Sequence, residues 1–145
     1  LAVSPSSGGS KVGWVRVQEN ETISHLSRWL RVSPGRLRKM NRIRSSRRVR
    51  MGKKIRVSFL RVPKEDFIER RLAYHKGIEK TFFKKYTVSR VKRHKLKPGE
   101  NVWTLLMKTY RVPLWLVRHY NGNKNLRRIT AGDEVVIPVV ERRQF

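Results

Sequence analysis

Residues 20–43 read NETISHLSRWLRVSPGRLRKMNRI and are followed by RMGKKIRV at residues 50–57. They recur in altered form as GENVWTLLMKTYRVPLWLVRHYNGN at residues 99–123 and TAGDEVVI at residues 130–137. Internal spacings agree between the copies. Val32 precedes Asn41 by nine positions, as Val112 precedes Asn121, and Asn41 precedes Gly52 by eleven, as Asn121 precedes Gly132. One residue is added before Val112 relative to Val32, which predicts a slightly longer first helix or turn in the second copy. Repetition of a whole supersecondary unit means two small modules rather than one larger domain.

Working outward, each copy reads as strand, helix, helix, strand. Residues 14–17 alternate apolar and polar like a short strand, and Asn20-Glu21 turns the chain. Thr22 is placed to cap a helix from Ile23 to about Leu30, whose Ile23, Leu26 and Leu30 form one apolar stripe. Ser33-Pro34 opens a second helix, with serine at the cap and proline at the first helical position. That helix carries Leu37 and Met40 and stops near Asn41. After a basic loop and the turn glycine Gly52, residues 54–57 alternate again. In the second copy residues 93–96 are the first strand, Asn101 caps the first helix, Val112-Pro113 opens the second, and residues 134–137 close the unit. The fold class is α+β, two βααβ modules joined by a helix. The predicted boundaries are a flexible linker over 1–12, module one over 13–60, a helical linker over 61–87, module two over 88–141 and a tail over 142–145.

Composition sets the chemistry that surrounds these modules. Of 145 residues, 36 are Lys or Arg and 10 are Asp or Glu, a formal charge of +26. The charge is distributed as +13 over residues 1–60, +4 over 61–86 and +9 over 87–145, so it belongs to both modules and not to a tail. Such a field favours polyanionic surfaces, whether nucleic acid, acidic lipid or an acidic wall polymer. The chain contains no cysteine, which excludes disulfides and thiolate metal sites. No apolar run reaches transmembrane length, so no membrane insertion is expected of this segment. A start at Leu1 and the serine-glycine run that follows read as a piece or mature form of a longer protein.

The run Lys97-Pro98-Gly99-Glu100-Asn101-Val102-Trp103 resembles the opening of the LysM (lysin motif) family. The valine before the second helix, the asparagine closing it (Asn41, Asn121) and the glycine before the last strand (Gly52, Gly132) match the same pattern. The resemblance covers about residues 14–59 and 88–140. Copy one departs from it where Asn20 replaces the usual turn glycine, a residue that still tolerates a left-handed turn. This resemblance implies a βααβ fold that binds glycans containing N-acetylglucosamine, such as peptidoglycan or chitin, in a shallow groove between two loops. The glycan-binding residues it implies in copy one are Asn20, Glu21, Thr22, Ile23, Asn41, Arg42 and Ile43. In copy two they are Gly99, Glu100, Asn101, Val102, Asn121, Gly122 and Asn123. Paired with an aromatic helix, the two copies also resemble the tail regions of some membrane-bound lytic transglycosylases of Gram-negative bacteria. That points to the bacterial cell envelope, periplasmic or wall-associated.

Several other motifs invite chemistry. Residues 63–85 read as one helix, acidic in its first turn (Glu65, Asp66, Glu69) and basic in its last, which suits the helix dipole better than an acid/base set. Its aromatic content predicts packing on a module. His75 and Glu79 are spaced to hold one edge of a metal site or to form a surface pair. Glu21 and Glu100 stand one to a module, whereas most glycosidases use a carboxylate pair. Neither catalytic residues nor cofactors nor metals are expected, and the segment reads as non-catalytic. Arg44, Arg47, Arg48 and Arg50 rim the first groove and are candidate contacts for an anionic polymer, through peptide-stem carboxylates or through phosphates. Trp29, Trp103 and Trp115 read as stacking platforms or as partly buried core. The leading function is therefore anchoring of a larger envelope protein to peptidoglycan through two grooves. The alternatives are a basic nucleic-acid-binding module and a LysM-derived docking scaffold.

Overall fold

The computed structural model describes residues 3–5, 11–44, 49–122 and 124–144. The fold is α+β, and the chain divides into two compact units, Leu1–Ile78 and Glu79–Phe145. Strands β1 (Val3–Pro5), β2 (Val12–Arg16) and β3 (Lys54–Ser58) form an antiparallel sheet in that order. Helices α1 (Ile23–Leu30) and α2 (Pro34–Met40) lie between β2 and β3 in the sequence. Helix α3 (Lys64–Lys85) follows, and the division between the units falls inside it.

In the first unit Val15 pairs with Ile55 and Gly13 with Val57. Alternation along β2 buries Val15 and exposes Trp14 and Arg16, as a period of two requires. The region expected as a linker departs from that reading, because Val3 pairs with Val15 and β2 begins at Val12. Composition alone missed this strand, whose backbone pairs along the other edge of β2 and so covers that edge. Thr22 caps α1 reciprocally: its hydroxyl accepts from the backbone N–H of His25, and the His25 ring accepts from the N–H of Thr22, both at 3.2 Å. Histidine thus fills the place usual for Glu or Gln in a capping box. Ser33 accepts from the Arg36 N–H at 3.1 Å with Pro34 at the first helical position. The stripe Ile23, Leu26 and Leu30 joins Leu37, Ile55, Val57 and Phe67 in one core.

Phe67 carries α3 into that core. It is fully buried, with its ring edge-on to Trp29 and Phe59 at 6.2 and 5.8 Å. Trp29 is itself buried, so it serves packing and not as a stacking platform. The first half of α3 is therefore structural in the first unit, not a spacer outside it.

The second unit is built on an antiparallel pair, β4 (Tyr86–Lys95) and β5 (Glu134–Arg142), with Lys92 opposite Ile137 and His94 opposite Val135. Both strands are longer than their sequence suggested. β4 is largely exposed, so most of its positions carry polar side chains and hydrophobic alternation is lost. Between the strands come α4 (Val102–Thr104), a π-helix (Leu105–Tyr110) and α5 (Leu114–Asn121). The residue added before Val112 sits in this π-helix. In the first unit the Val32 N–H donates to the carbonyl five residues back (Ser27), and in the second the Val112 N–H donates to the one six back (Leu106). One wider turn absorbs the insertion and leaves Leu114, Leu116 and Val117 buried with Val135 and Ile137.

Candidate functional site

The turn before α1 is assembled around Glu21. Its carboxylate accepts from the Gln18 N–H at 2.8 Å, from Arg71 Nε and a terminal guanidinium nitrogen at 2.7 Å each, and pairs with His75 Nε2 at 2.8 Å. The side chain is inaccessible to solvent. Burial by itself would raise its pKa. The hydrogen bonds from Arg71 and His75, the Arg71 charge and the Gln18 N–H together outweigh burial and lower it from 4.5 to about 2. Arg71 also donates to the Arg16 carbonyl, and the Tyr74 hydroxyl donates to the Asn20 carbonyl at 2.6 Å. Three α3 residues at i, i+3 and i+4 thus hold the turn in which Asn20 adopts a left-handed φ of 66°.

Beside this turn lies an open groove of about 590 Å³. The turn and the start of α1 contribute Gln18, Asn20, Glu21, Thr22 and His25, the loop before β3 contributes Val49 and Met51, and α3 contributes Tyr74 and Ile78. None of these is Lys or Arg. Glu21 is neutralised by Arg71, and burial, with the Arg28 charge, holds His25 below its usual pKa of 6.5. Because its Nδ1 accepts from Thr22, the neutral His25 ring carries its proton on Nε2. In a chain of charge +26 the described lining of this groove is close to neutral.

The sequence-expected residues divide between groove and scaffold. Asn20, Glu21 and Thr22 line the groove. Ile23 is buried in the core and Ile43 packs against it, as Val102 is buried in the second unit, so these apolar side chains serve the fold. Arg42, Arg44 and Arg50 are exposed and outside the lining, and Arg47 and Arg48 fall outside the described residues. Gln18, His25, Val49, Met51, Tyr74 and Ile78 were not anticipated. For the last two the available signal was helical spacing, since Phe67, Arg71, Tyr74 and Ile78 recur every three or four residues along α3.

The side chains of Asn41 and Asn121 are committed to the fold. Asn41 Nδ2 donates to the carbonyls of Leu37 and Arg56, both at 2.9 Å, and its Oδ1 accepts from the Arg56 N–H. Asn121 does the same with Val117 and Val136, at 2.6 and 2.8 Å, and accepts from the Val136 N–H at 2.8 Å. Each amide ties the end of the second helix to the closing strand and uses both of its donors in doing so.

In the second unit Gly99 has φ 83° where Asn20 stands in the first, and Gly132 repeats the φ of Gly52 at 92° against 90°. Glu100 accepts from the Lys97 N–H at 2.7 Å and pairs with His94 Nε2 at 3.1 Å. The Lys97 hydrogen bond and then His94 lower its pKa. Asn101 caps the following helix through the Trp103 N–H at 2.8 Å. Gly122 ends α5 with φ 55°, and Asn123 lies outside the described residues. Trp103 and Trp115 are half-buried, Trp115 standing edge-on to Phe82 at 5.2 Å. His75 and Glu79 do not form an edge of a site: His75 serves Glu21, and Glu79 faces His119 at 3.4 Å. Among the described residues no three His, Cys, Asp or Glu converge as metal ligands.

The LysM domain family model matches residues 15–58. The match runs from Val15 in β2 to Ser58 at the end of β3 and stops before α3. LysM domains are non-catalytic modules that bind glycans containing N-acetylglucosamine, peptidoglycan and chitin among them, and they occur in cell-envelope or extracellular proteins. No curated protein matches the chain. Among the described residues no helix is long and apolar enough to cross a membrane.

Proposed function

We propose that the chain is a two-module, non-catalytic carbohydrate-binding segment that anchors a larger bacterial envelope protein, periplasmic or wall-associated, to peptidoglycan. The observation that carries this reading is that the described lining of the groove, in a strongly basic chain, holds no Lys or Arg. A phosphate-binding groove would place Arg or Lys on its lining, whereas an uncharged sugar needs hydroxyl, amide and imidazole groups beside an apolar wall. Gln18, Asn20, Thr22 and His25 supply the first, and Val49 and Met51 the second. Glu21 and Asn41 act by holding the loops, and Arg42 and Ile43 by continuing one of them. Arg44, Arg47, Arg48 and Arg50 meet carboxylates of the peptide stems.

The second unit is a second LysM module in this reading. Support comes from the repeated asparagine clamp, the repeated glutamate that accepts the N–H three residues back and pairs with a histidine, and the matching backbone bonds. Gly52 N–H donates to Val17 at 2.7 Å and Gly132 N–H to Leu96 at 2.8 Å. Its glycan loops are residues 99–102 and 121–124, where Gly99, Glu100, Asn101, Val102, Asn121 and Gly122 would offer backbone groups to the sugar, and Asn123, outside the described residues, belongs to the same proposed set. Whole-chain sedimentation with purified sacculi tests the proposal. The chain pellets with them at low ionic strength, and a chain that stays in the supernatant there has no such function.

A further inference from the structure

We infer that α3 is part of the first glycan site: Ile78, supported by Tyr74, supplies a third wall that a bound N-acetylated sugar touches. This rests on the carbohydrate reading above and goes beyond it, because residues 15–58 make up the matched domain and both side chains lie outside it. The first module would then read its ligand with a residue the LysM domain does not contain.

The position of α3 at the groove is built in. Phe67 anchors it in the core, Arg71 and His75 hold Glu21, and the Tyr74 hydroxyl holds the Asn20 carbonyl. Tyr74 lies one helical turn before Ile78 on the same face. Its ring is packed against His25 at 4.6 Å and Trp29 at 5.2 Å, and its hydroxyl is engaged, so Tyr74 acts mainly as a rigid backing. Ile78 is half-buried, lines the groove and lies outside the set of apolar residues packed on the core. Its free apolar surface completes an arrangement in which amide, hydroxyl and imidazole groups stand on one side and Val49, Met51 and Ile78 on the others. That division matches an N-acetylated amino sugar, whose hydroxyls and amide need donors and acceptors while its methyl and C–H face need apolar contact. At about 590 Å³ the groove falls within the ~300–1,000 Å³ of small-ligand sites, which suits a short run of sugars.

The test is an amide and methyl chemical-shift titration of the whole chain with tetra-N-acetylchitotetraose, repeated on Ile78→Ser and Ile78→Leu. Ile78 is only half-buried, so both variants keep the native spectrum. Amides of residues 20–22, 49–51 and 74–78 shift along one binding curve, and the Ile78 methyls show a contact to the acetyl methyl. Ile78→Ser weakens binding at the first groove about five- to tenfold, the loss expected for one partly buried apolar side chain, and Ile78→Leu restores most of it. Binding reported by residues 99–102 is unchanged in both. If residues 20–22 and 49–51 respond with the same dissociation constant in Ile78→Ser as in the parent chain, α3 is not part of the site while the carbohydrate reading stands. If neither loop responds in the parent chain, the carbohydrate reading and this inference fall together.

Discussion

Asn41→Ala leaves the Arg56 N–H and the Leu37 and Arg56 carbonyls without their side-chain partner, and Asn121→Ala does the same at Val117 and Val136. The bonds to Arg56 are exposed and water can replace them, whereas those of Asn121 are partly buried. The expected cost is about 1 kcal/mol for Asn41→Ala and about 2 kcal/mol for Asn121→Ala. Urea unfolding of each variant measures it, and an Asn41 cost larger than the Asn121 cost would contradict this ordering. These asparagines also show how a sequence can be right about a position and incomplete about its role. Their spacing to Gly52 and Gly132 marked them as fixed points of the motif. Only the folded structure shows both amide hydrogens engaged by the backbone. Ile23, Ile43 and Val102 were named with the glycan-binding residues on the same basis. An apolar residue at a loop edge reads the same whether it faces sugar or core, and the structure turns all three inward.

At the scale of elements, α3 and the π-helix decide most. The ion pair Glu21–Arg71 joins α3 to the turn, with Glu21 fully buried. Arg71→Ala strands that carboxylate, and the first unit is expected to lose about 3–5 kcal/mol, read from its unfolding transition. The acid limb has a definite sign. Glu21 has its pKa lowered from 4.5 to about 2 in the folded state, so its contribution is complete above pH 4.5 and is lost as pH falls from 4.5 toward 2. The loss is on the order of 3 kcal/mol and should be smaller in Arg71→Ala, where only His75 and the Gln18 N–H still oppose burial. For the π-helix, deleting Met107, which is exposed, restores the spacing of the first module. The deletion variant should keep its circular dichroism spectrum and lose no more than about 1 kcal/mol, whereas deleting Arg28 from α1 should unfold the first unit. The βααβ order of the first unit was legible because it carries strong caps and an apolar stripe. Of β4 only the end near residues 93–95 was read, because an exposed strand has little hydrophobic alternation, and the groove-facing side of α3 was hidden because its contacts are fifty residues away in sequence.

For the molecule as a whole, charge and groove act separately. Under the proposed function, the exposed arginines and lysines supply a long-range attraction to an anionic wall that salt screens, and the groove, whose described lining carries no Lys or Arg, supplies contacts that salt does not. Raising ionic strength should therefore lower sacculus binding to a plateau rather than to zero, with the plateau competed by N-acetylglucosamine oligomers. A steady log–log decline with no plateau would mark charge alone as the binding force. A second groove in the second unit, as proposed, would raise retention through effective concentration. The clamp on Asn121 has one more consequence, written in chemistry rather than in stability. Asn-Gly is the dipeptide most prone to cyclise to a succinimide, by attack of the glycine nitrogen on the asparagine side-chain carbonyl with loss of ammonia, and water then opens the ring to aspartate or isoaspartate. In the folded chain that carbonyl is held by the Val136 N–H and the amide by two backbone carbonyls, so the sequence ages only when α5 and β5 part. Isoaspartate at position 121 is then a slow clock, recording how long each molecule has spent with its second module open.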